Sequence, residues 1–529
     1  MTDAPRIPSP GTPGSGAPGV APLDPFDEPD DDIAETPKEA ITARGVAIVS
    51  GRIVIGLVGI GVAIVTVVGS SLVPLPGIRL TPPSTVITPV PTAQQLVCPG
   101  AVVRLSDASG KGATTASAIG EPASAFSSST GSVNSTPLAV SDANSGGTAA
   151  APAVISTPPN QSNPTEQLLL SGAQAQTVGD PDYVGLAAAD CAVATGDVWL
   201  SGGSTSVGRT TLLTLSNPTQ VAATVDIALF GENGPITAPG TSGIIVAPDG
   251  QRVLSLAGFQ PNIASPIVHV TSTGGQVVAV LQESIVRGLV AGGVDIAGAT
   301  AGLSLTNVIP GLTVGDPAGL QRLAGGGVDY QDLSTVLRLF APGSGTVQTT
   351  INFIPEDGKT TGASFTYSVD AGRVTEVPVG DLAPGNYTVT IVSPVPMIAS
   401  VRVSAAAPKA IPGPDGATTP TDFAWLSSAN ELHTHAQLTV APGPSPVLHL
   451  ANTTSAATTV QLTLVGGATS QLVIPAGAAV LAPVRAGETY QLSGFDSLFA
   501  AVTLSSNGFI AHYTIHPPGT ASAPVRVFH

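Results

Sequence analysis

Apolar and polar residues alternate with a period of two in three stretches of the chain, and Gly-containing turns separate the runs at matching places. The first copy reads Leu213-Thr-Leu215-Ser-Asn217-Pro218, then Val225, Ile227 and Leu229, then Val246-Ala-Pro-Asp-Gly250, His269-Val-Thr-Ser272 and Val277 to Leu281. The second has Leu337-Arg-Leu339, Ile351 and Phe353, Val369-Asp-Ala-Gly372, Thr388 to Ser393, and Ile398 to Val403. The third has Leu448-His-Leu450-Ala-Asn452, Val460, Leu462 and Leu464, Ile474-Pro-Ala-Gly477, Val502-Thr-Leu-Ser505, and Phe509 to Tyr513. A period of two places alternate side chains on opposite faces of a strand, so each run has one face to bury. The copies start about 110 to 125 residues apart with a core of about 70, which predicts tandem antiparallel β-sandwich domains of immunoglobulin-like size. A β-propeller is the rival architecture, and it needs more regular four-strand blades than the pattern supplies. Asp197-Val-Trp199-Leu-Ser201 and Asp422-Phe-Ala-Trp425-Leu-Ser427 echo each other before the first and third copies. Both Trp side chains are expected as core plugs in preference to exposed ligand platforms.

One segment breaks the strand pattern. Ile53 to Val73 is an uncharged apolar run of about 21 residues, or about 31 Å as a helix, which matches the hydrocarbon core of a bilayer. It starts too far from Met1 and runs too long for a cleaved signal peptide. Lys38, Arg44 and Arg52 precede it, whereas Arg79 stands alone before Arg104. The bias places the N-terminus in the cytoplasm and the chain beyond about residue 75 outside. The tail before the run is rich in Pro, Gly and Ser and then acidic from Asp24 to Glu35, so it is expected to be disordered. The domain reading is therefore 1–45 as acidic cytoplasmic tail, 46–75 as transmembrane helix with its basic flank, and 76–95 as a Pro-rich stalk. It continues with 96–305 as a first β domain carrying a mobile Ser/Ala/Gly-rich insertion at 106–164, 306–408 as a second, and 409–529 as a third.

Composition narrows the function classes. Charged residues are 10% of the chain, aromatics 4%, and the net charge is −17, so the basic footprint that nucleic-acid phosphates require is missing. The Ala, Gly, Val and Pro content, with few Lys among the 18 basic residues, suggests coding in GC-rich DNA and an actinobacterium-like source. Cys98 and Cys191 both fall on the side assigned to the exterior, where a disulfide is the default for a pair.

Catalytic signatures are sparse. The sequence holds no Gly-x-Ser-x-Gly elbow, no His-Glu-x-x-His and no Gly-x-x-x-x-Gly-Lys. His433 and His435 share one face of an expected strand, with His512 and His516 as further candidates; a metal pair is one reading and polar histidines at strand ends the commoner one. Asn134, Asn160, Asn386 and Asn452 begin Asn-x-Ser/Thr sequons, expected to be silent in a bacterium.

Cys98-Pro-Gly, followed by Val198-Trp-Leu-Ser-Gly-Gly203, Leu213-Thr-Leu-Ser-Asn-Pro218, Ala223 to Ile227 and Phe230-Gly-Glu-Asn-Gly234, resembles a family of actinobacterial secreted or membrane-anchored proteins known only as a domain of unknown function. The resemblance implies an envelope location, no assigned activity, and neighbourhoods of membrane glycosyltransferase genes. The expected function is thus a non-catalytic, single-pass cell-membrane protein, with no cofactor, whose external β domains bind or position a protein or glycan partner in the envelope. A carbohydrate-binding module is the alternative, and an envelope enzyme of new type a more distant one.

Overall fold

The computed structural model describes residues 58, 62, 84–87, 93–105, 116–140, 151–159, 168–327, 330–380, 382–409, 411–413, 416–518 and 525–528. It divides into two compact parts, Met1–Pro83 and Ser84–His529. In the first part only Val58 and Val62 are described, both helical. The acidic tail, the rest of the Ile53–Val73 run and residues 76–83 and 88–92 of the expected 76–95 stalk lie outside the described residues, whereas within that stalk Ser84–Ile87 is a strand paired with Val525–Phe528 and Gln94 opens the strand Gln94–Cys98. Among the described residues no helix is long and apolar enough to cross a membrane.

The second part is almost all β and its sheets are antiparallel, save for one short parallel pair, Ala139–Val140 with Gly250–Ser255. Three repeats share one topology. In the second, strand Gly385–Ala406 belongs to two layers: its first half pairs with Ser304–Val314 and Thr346–Pro355, its second with Val336–Phe340 and Thr421–Ser427. Ala363–Asp370 and Val374–Pro378 complete the layers as outer strands. In the third repeat, Thr489–Ser506 plays the same part, pairing first with Leu432–Thr439 and Thr458–Leu464, then with Val447–Asn452 and Phe509–Thr514. In the first repeat the shared strand is broken into Ile267–Gly274 and Val278–Arg287, which pair separately with Asp197–Ser201 and Ala223–Gly231, and with Arg209–Asn217 and Val290–Ala297.

The crossing between layers has a different local cause in each copy. Gly274-Gly275-Gln276 interrupts the strand in the first repeat, and Ser393-Pro-Val-Pro396 removes two ladder donors in the second. Gly494, at φ 86°, turns the strand in the third. Between the layers lie the cores: Leu213, Leu215, Val225 and Ile227 in the first repeat, Leu337, Leu339, Ile351 and Phe353 in the second, Leu448, Leu450, Val460 and Leu462 in the third. These are the residues whose period-two spacing announced the strands.

Three expectations change. Within 106–164, expected as a mobile insertion, the described residues include the strands Ala116–Ala118, Ala123–Ser128, Asn134–Pro137, Ala139–Val140 and Ala153–Thr157. Ala123–Ser128 joins Leu170–Asp180, and Ala153–Thr157 joins Gln94–Cys98, so main-chain pairing with flanking strands overrides weak side-chain propensity. The second repeat runs to Ser427, beyond the boundary at residue 408, because Thr421–Ser427 closes its sheet. For the same reason the two Trp are not equivalent: Trp199 is on the first strand of the first repeat and Trp425 on the last strand of the second.

Candidate functional site

Buried ionisable groups concentrate where the repeats meet. Glu283 and Asp295 are directly opposite on neighbouring strands of the first repeat, so both carboxyls face one side of the sheet. Trp425 of the second repeat lies against that side: its indole N–H donates to Glu283 Oε2 at 2.6 Å and its backbone N–H to Asp295 Oδ2 at 2.7 Å. The guanidinium of Arg338 sits 4.1 Å from the Trp425 ring centroid and donates to the carbonyls of Gly203 and Pro266 in the first repeat. Burial pushes the Asp295 carboxyl up to about 8 and raises Glu283 as well. Asp422, also buried, accepts backbone N–H bonds from Leu186, Val294 and Ile510, and so ties the N-terminal strands, the first repeat and the third to the second. Burial outweighs those donors and raises its pKa well above the carboxylate range. Asp332 shows the opposite balance: burial alone would raise it, but the Arg287 fork, with Arg402 and Arg209, holds it low.

The two Trp plug the same junction from opposite sides. Trp425 belongs to the core of the first repeat. Trp199 is half-buried, stacked 4.0 Å from His269 and packed near Phe230 and Phe340.

The junction of the second and third repeats holds a second constellation. His449 Nδ1 is 2.5 Å from Glu356 Oε2, and its Nε2 is 2.7 Å from Thr503 Oγ1. Glu356 Oε1 also accepts from the Gly311 N–H and the Thr388 hydroxyl. A hydroxyl, an imidazole and a carboxylate in line form the relay of hydrolases. Here the His449 and Glu356 side chains are fully buried and Thr503 is 5% exposed, so the array faces the neighbouring repeat. Gly311 permits the approach: at φ 91°, a Cβ there would meet His449 Cδ2 at 3.1 Å. Beside it, His512 takes the Pro310 carbonyl on Nε2 at 3.0 Å, and burial lowers its pKa to about 3.

A cavity of about 370 Å³ opens beside the Cys98–Cys191 bond, whose S–S distance is 1.95 Å. Its walls include Leu96, Ser171, Gln437 and Thr439, and the ion pair of His516 with Asp190 at 2.5 Å. Burial alone would lower the His516 pKa, but Asp190 reverses the balance and raises it. The structure therefore disperses the candidate histidines. His433 meets the Asp496 carbonyl, and His435 meets Thr434 Oγ1. The register shifts between Thr434 and His435, and Thr434 takes φ 59°, so the expected regular strand face is broken there. Among the described residues no cluster of three or more His, Cys, Asp or Glu is placed to hold a metal.

The family model of DUF5719, a family of unknown function, matches residues 139–444. The chain belongs to this family. The match runs from strand Ala139–Val140 through the first and second repeats and ends after Leu432–Thr439, the first strand of the third. Comparison with curated proteins gives no match. Among solved structures, a biofilm associated protein, BSP domain, aligns at 11% identity over 75% of this chain and 67% of its own, with a TM-score of 0.10. That likeness is too low to argue from.

Sequence reasoning passed over Arg338 and His449 although both carried a signal. Each is the polar residue inside a Leu-x-Leu strand centre whose neighbours are all buried. A polar side chain at that point must find a partner across a protein interface.

Proposed function

We propose that this protein is a non-catalytic, single-pass membrane-anchored component of the cell envelope, its N-terminus cytoplasmic and its β repeats external, where they bind or position a partner in envelope glycan assembly. The observation that carries the reading is the Cys98–Cys191 bond, which joins two strand ends 93 residues apart and calls for an oxidising compartment. The apolar run from Ile53 to Val73, with Lys38, Arg44 and Arg52 before it, supplies a route to that compartment. Each repeat is read as an immunoglobulin-like sandwich, and the ionisable groups at the junctions serve to fix one repeat on the next, leaving outer sheet faces for recognition. A carbohydrate-binding protein is the second reading, favoured by the Gln, Ser and Thr side chains that Thr458–Leu464, Thr469–Ile474 and Thr489–Ser506 align on one outer face of the third repeat.

Proteinase added to intact, wall-stripped cells tests the topology. Digestion of everything after Ser71, leaving a small protected fragment with the acidic tail, is the expected result; protection of the Cys191 region would overturn the orientation. Purification in mild detergent should then return a stable envelope protein or glycan with the full chain.

A further inference from the structure

The outer face of one layer of the third repeat carries rows of carboxamides and hydroxyls in register. Gln471 stands opposite Gln461, Gln461 opposite Ser493, and Ser493 opposite His435. The next row is Thr469, Thr463, Gln491 and Gln437. Neither row contains Asp, Glu, Lys or Arg. Gln461, Gln471 and Thr469 are exposed, and burial deepens along the second row until Gln437 enters the cavity of about 370 Å³. Its neighbours are already tied together: Gln491 Nε2 donates to Gln437 Oε1, and Gln437 Nε2 donates to Ser171 Oγ. The second repeat has the same device on the equivalent layer. There Ser364, Asn352 and Thr390 form a bonded row, and Thr390 lines a cavity of about 680 Å³ with Ile354, Val392 and Phe499.

We propose that these rows, with the cavities they enter, bind a neutral polysaccharide. Strands about 4.8 Å apart set the side chains at a regular pitch, and each carboxamide or hydroxyl offers both donor and acceptor, as sugar hydroxyls do. An anionic chain would find no Lys or Arg on the rows, His435 being their one titratable side chain, and a protein partner would find no Trp, Tyr or Arg anchor. The proposal rests on the external placement above only for where the ligand is met, because binding itself is measured in solution.

The test uses the full chain in a detergent without a sugar headgroup, run by affinity electrophoresis through dextran, mannan, arabinan and galactan, with alginate and polyglutamate as charged comparators. Retardation by at least one neutral glycan is expected. It should weaken about tenfold in the double variant Gln461→Ala/Gln471→Ala and in Gln461→Arg, both at exposed sites, and hold in Lys359→Ala. Failure of every neutral glycan to retard the protein, equal retardation of the double variant, or preference for the charged comparators would overturn it. None of these outcomes touches the topology result, so the two readings fail separately.

Discussion

Arg338 and His449 occupy the same place in successive repeats, at the centre of Leu337-Arg-Leu339 and Leu448-His-Leu450, and both reach back into the repeat before. Their chemistry differs. Arg338 is a permanent cation that spends its donors on backbone carbonyls and on Glu376, whose side chain is 36% exposed. His449 is sealed with Glu356, both side chains at 0% exposure. One junction thus keeps a counter-ion in water, and the other takes both members out of it. A shared strand position does not impose a shared residue. It imposes a polar side chain with a partner across the junction, because the flanking leucines commit the strand to the core.

The largest contrast should come from removing one member of each pair. His449→Ala leaves Glu356 buried without its counter-group and should cost about 3 to 5 kcal/mol. Arg338→Met keeps much of the contact with Trp425 and leaves Glu376 able to hydrate, so about 1 to 3 kcal/mol is expected, mostly from the unpaired Gly203 and Pro266 carbonyls. Urea unfolding followed by hydrogen exchange at Val336–Phe340 and Val447–Asn452 would measure both. Equal costs would mean that burial of the counter-ion is not what separates the junctions.

The junctions should also respond to pH with opposite signs. Asp295 is pushed up to about 8 from an unfolded value near 3.9. Between these values the folded state holds the extra proton, so this contribution is complete below about pH 4 and is lost as pH rises through about 8. Glu283 and Asp422, also raised, act in the same direction. His512 is lowered to about 3 from about 6.5, so the unfolded state holds the extra proton; its contribution is complete above about pH 6.5 and is lost as pH falls towards 3. Exchange at Val290–Ala297 should therefore speed on going from pH 5 to pH 8, after correction for intrinsic rates. Exchange at Phe509–Thr514 should speed on acidification. Parallel responses would show that one global opening controls both regions.

How much of this was legible follows from what each signal reports. Val225, Ile227, Val460 and Leu462 announced buried strand faces because period-two burial is local. The position of Trp425 was not legible in that way: Asp422-Phe-Ala-Trp425-Leu-Ser427 reads as a lead-in to the third copy, yet long-range pairing with Ser400 to Ala406 makes it the closing strand of the second. The strands within 106–164 were missed because Ala, Ser and Thr give no amphipathic contrast, and their pairing depends on neighbours about 50 residues away. The junction network was hidden for the same reason. Glu283 and Asp295 face each other within one repeat, but Trp425 lies 130 residues beyond Asp295 and joins them only when the repeats stack.

The smallest effect, and the one that sharpens the comparison most, concerns Asn217 and Asn452. Asn217 Nδ2 donates to the carbonyls of Val221, Val246 and Ala247, while its Oδ1 accepts from the N–H and hydroxyl of Thr219. Asn452 does the same with Ala456, Ile474, Pro475 and Thr454. The sequon at Asn452 is thereby a turn clamp, and its amide is not available as a glycan acceptor in the folded protein. In the second repeat Ala341 stands at this place, and its carbonyl instead accepts the Gly372 N–H at 2.7 Å. Asn217→Ala and Asn452→Ala should each cost about 1 to 3 kcal/mol and agree with each other within the scatter of such values, since both strand the same buried carbonyls. Exchange at Ala223–Gly231 and Thr458–Leu464 would measure the two. A large inequality would mean that the repeats share topology without sharing the energetics of their turns, and that the contrast between Arg338 and His449 belongs to the repeats as wholes and not to one strand position.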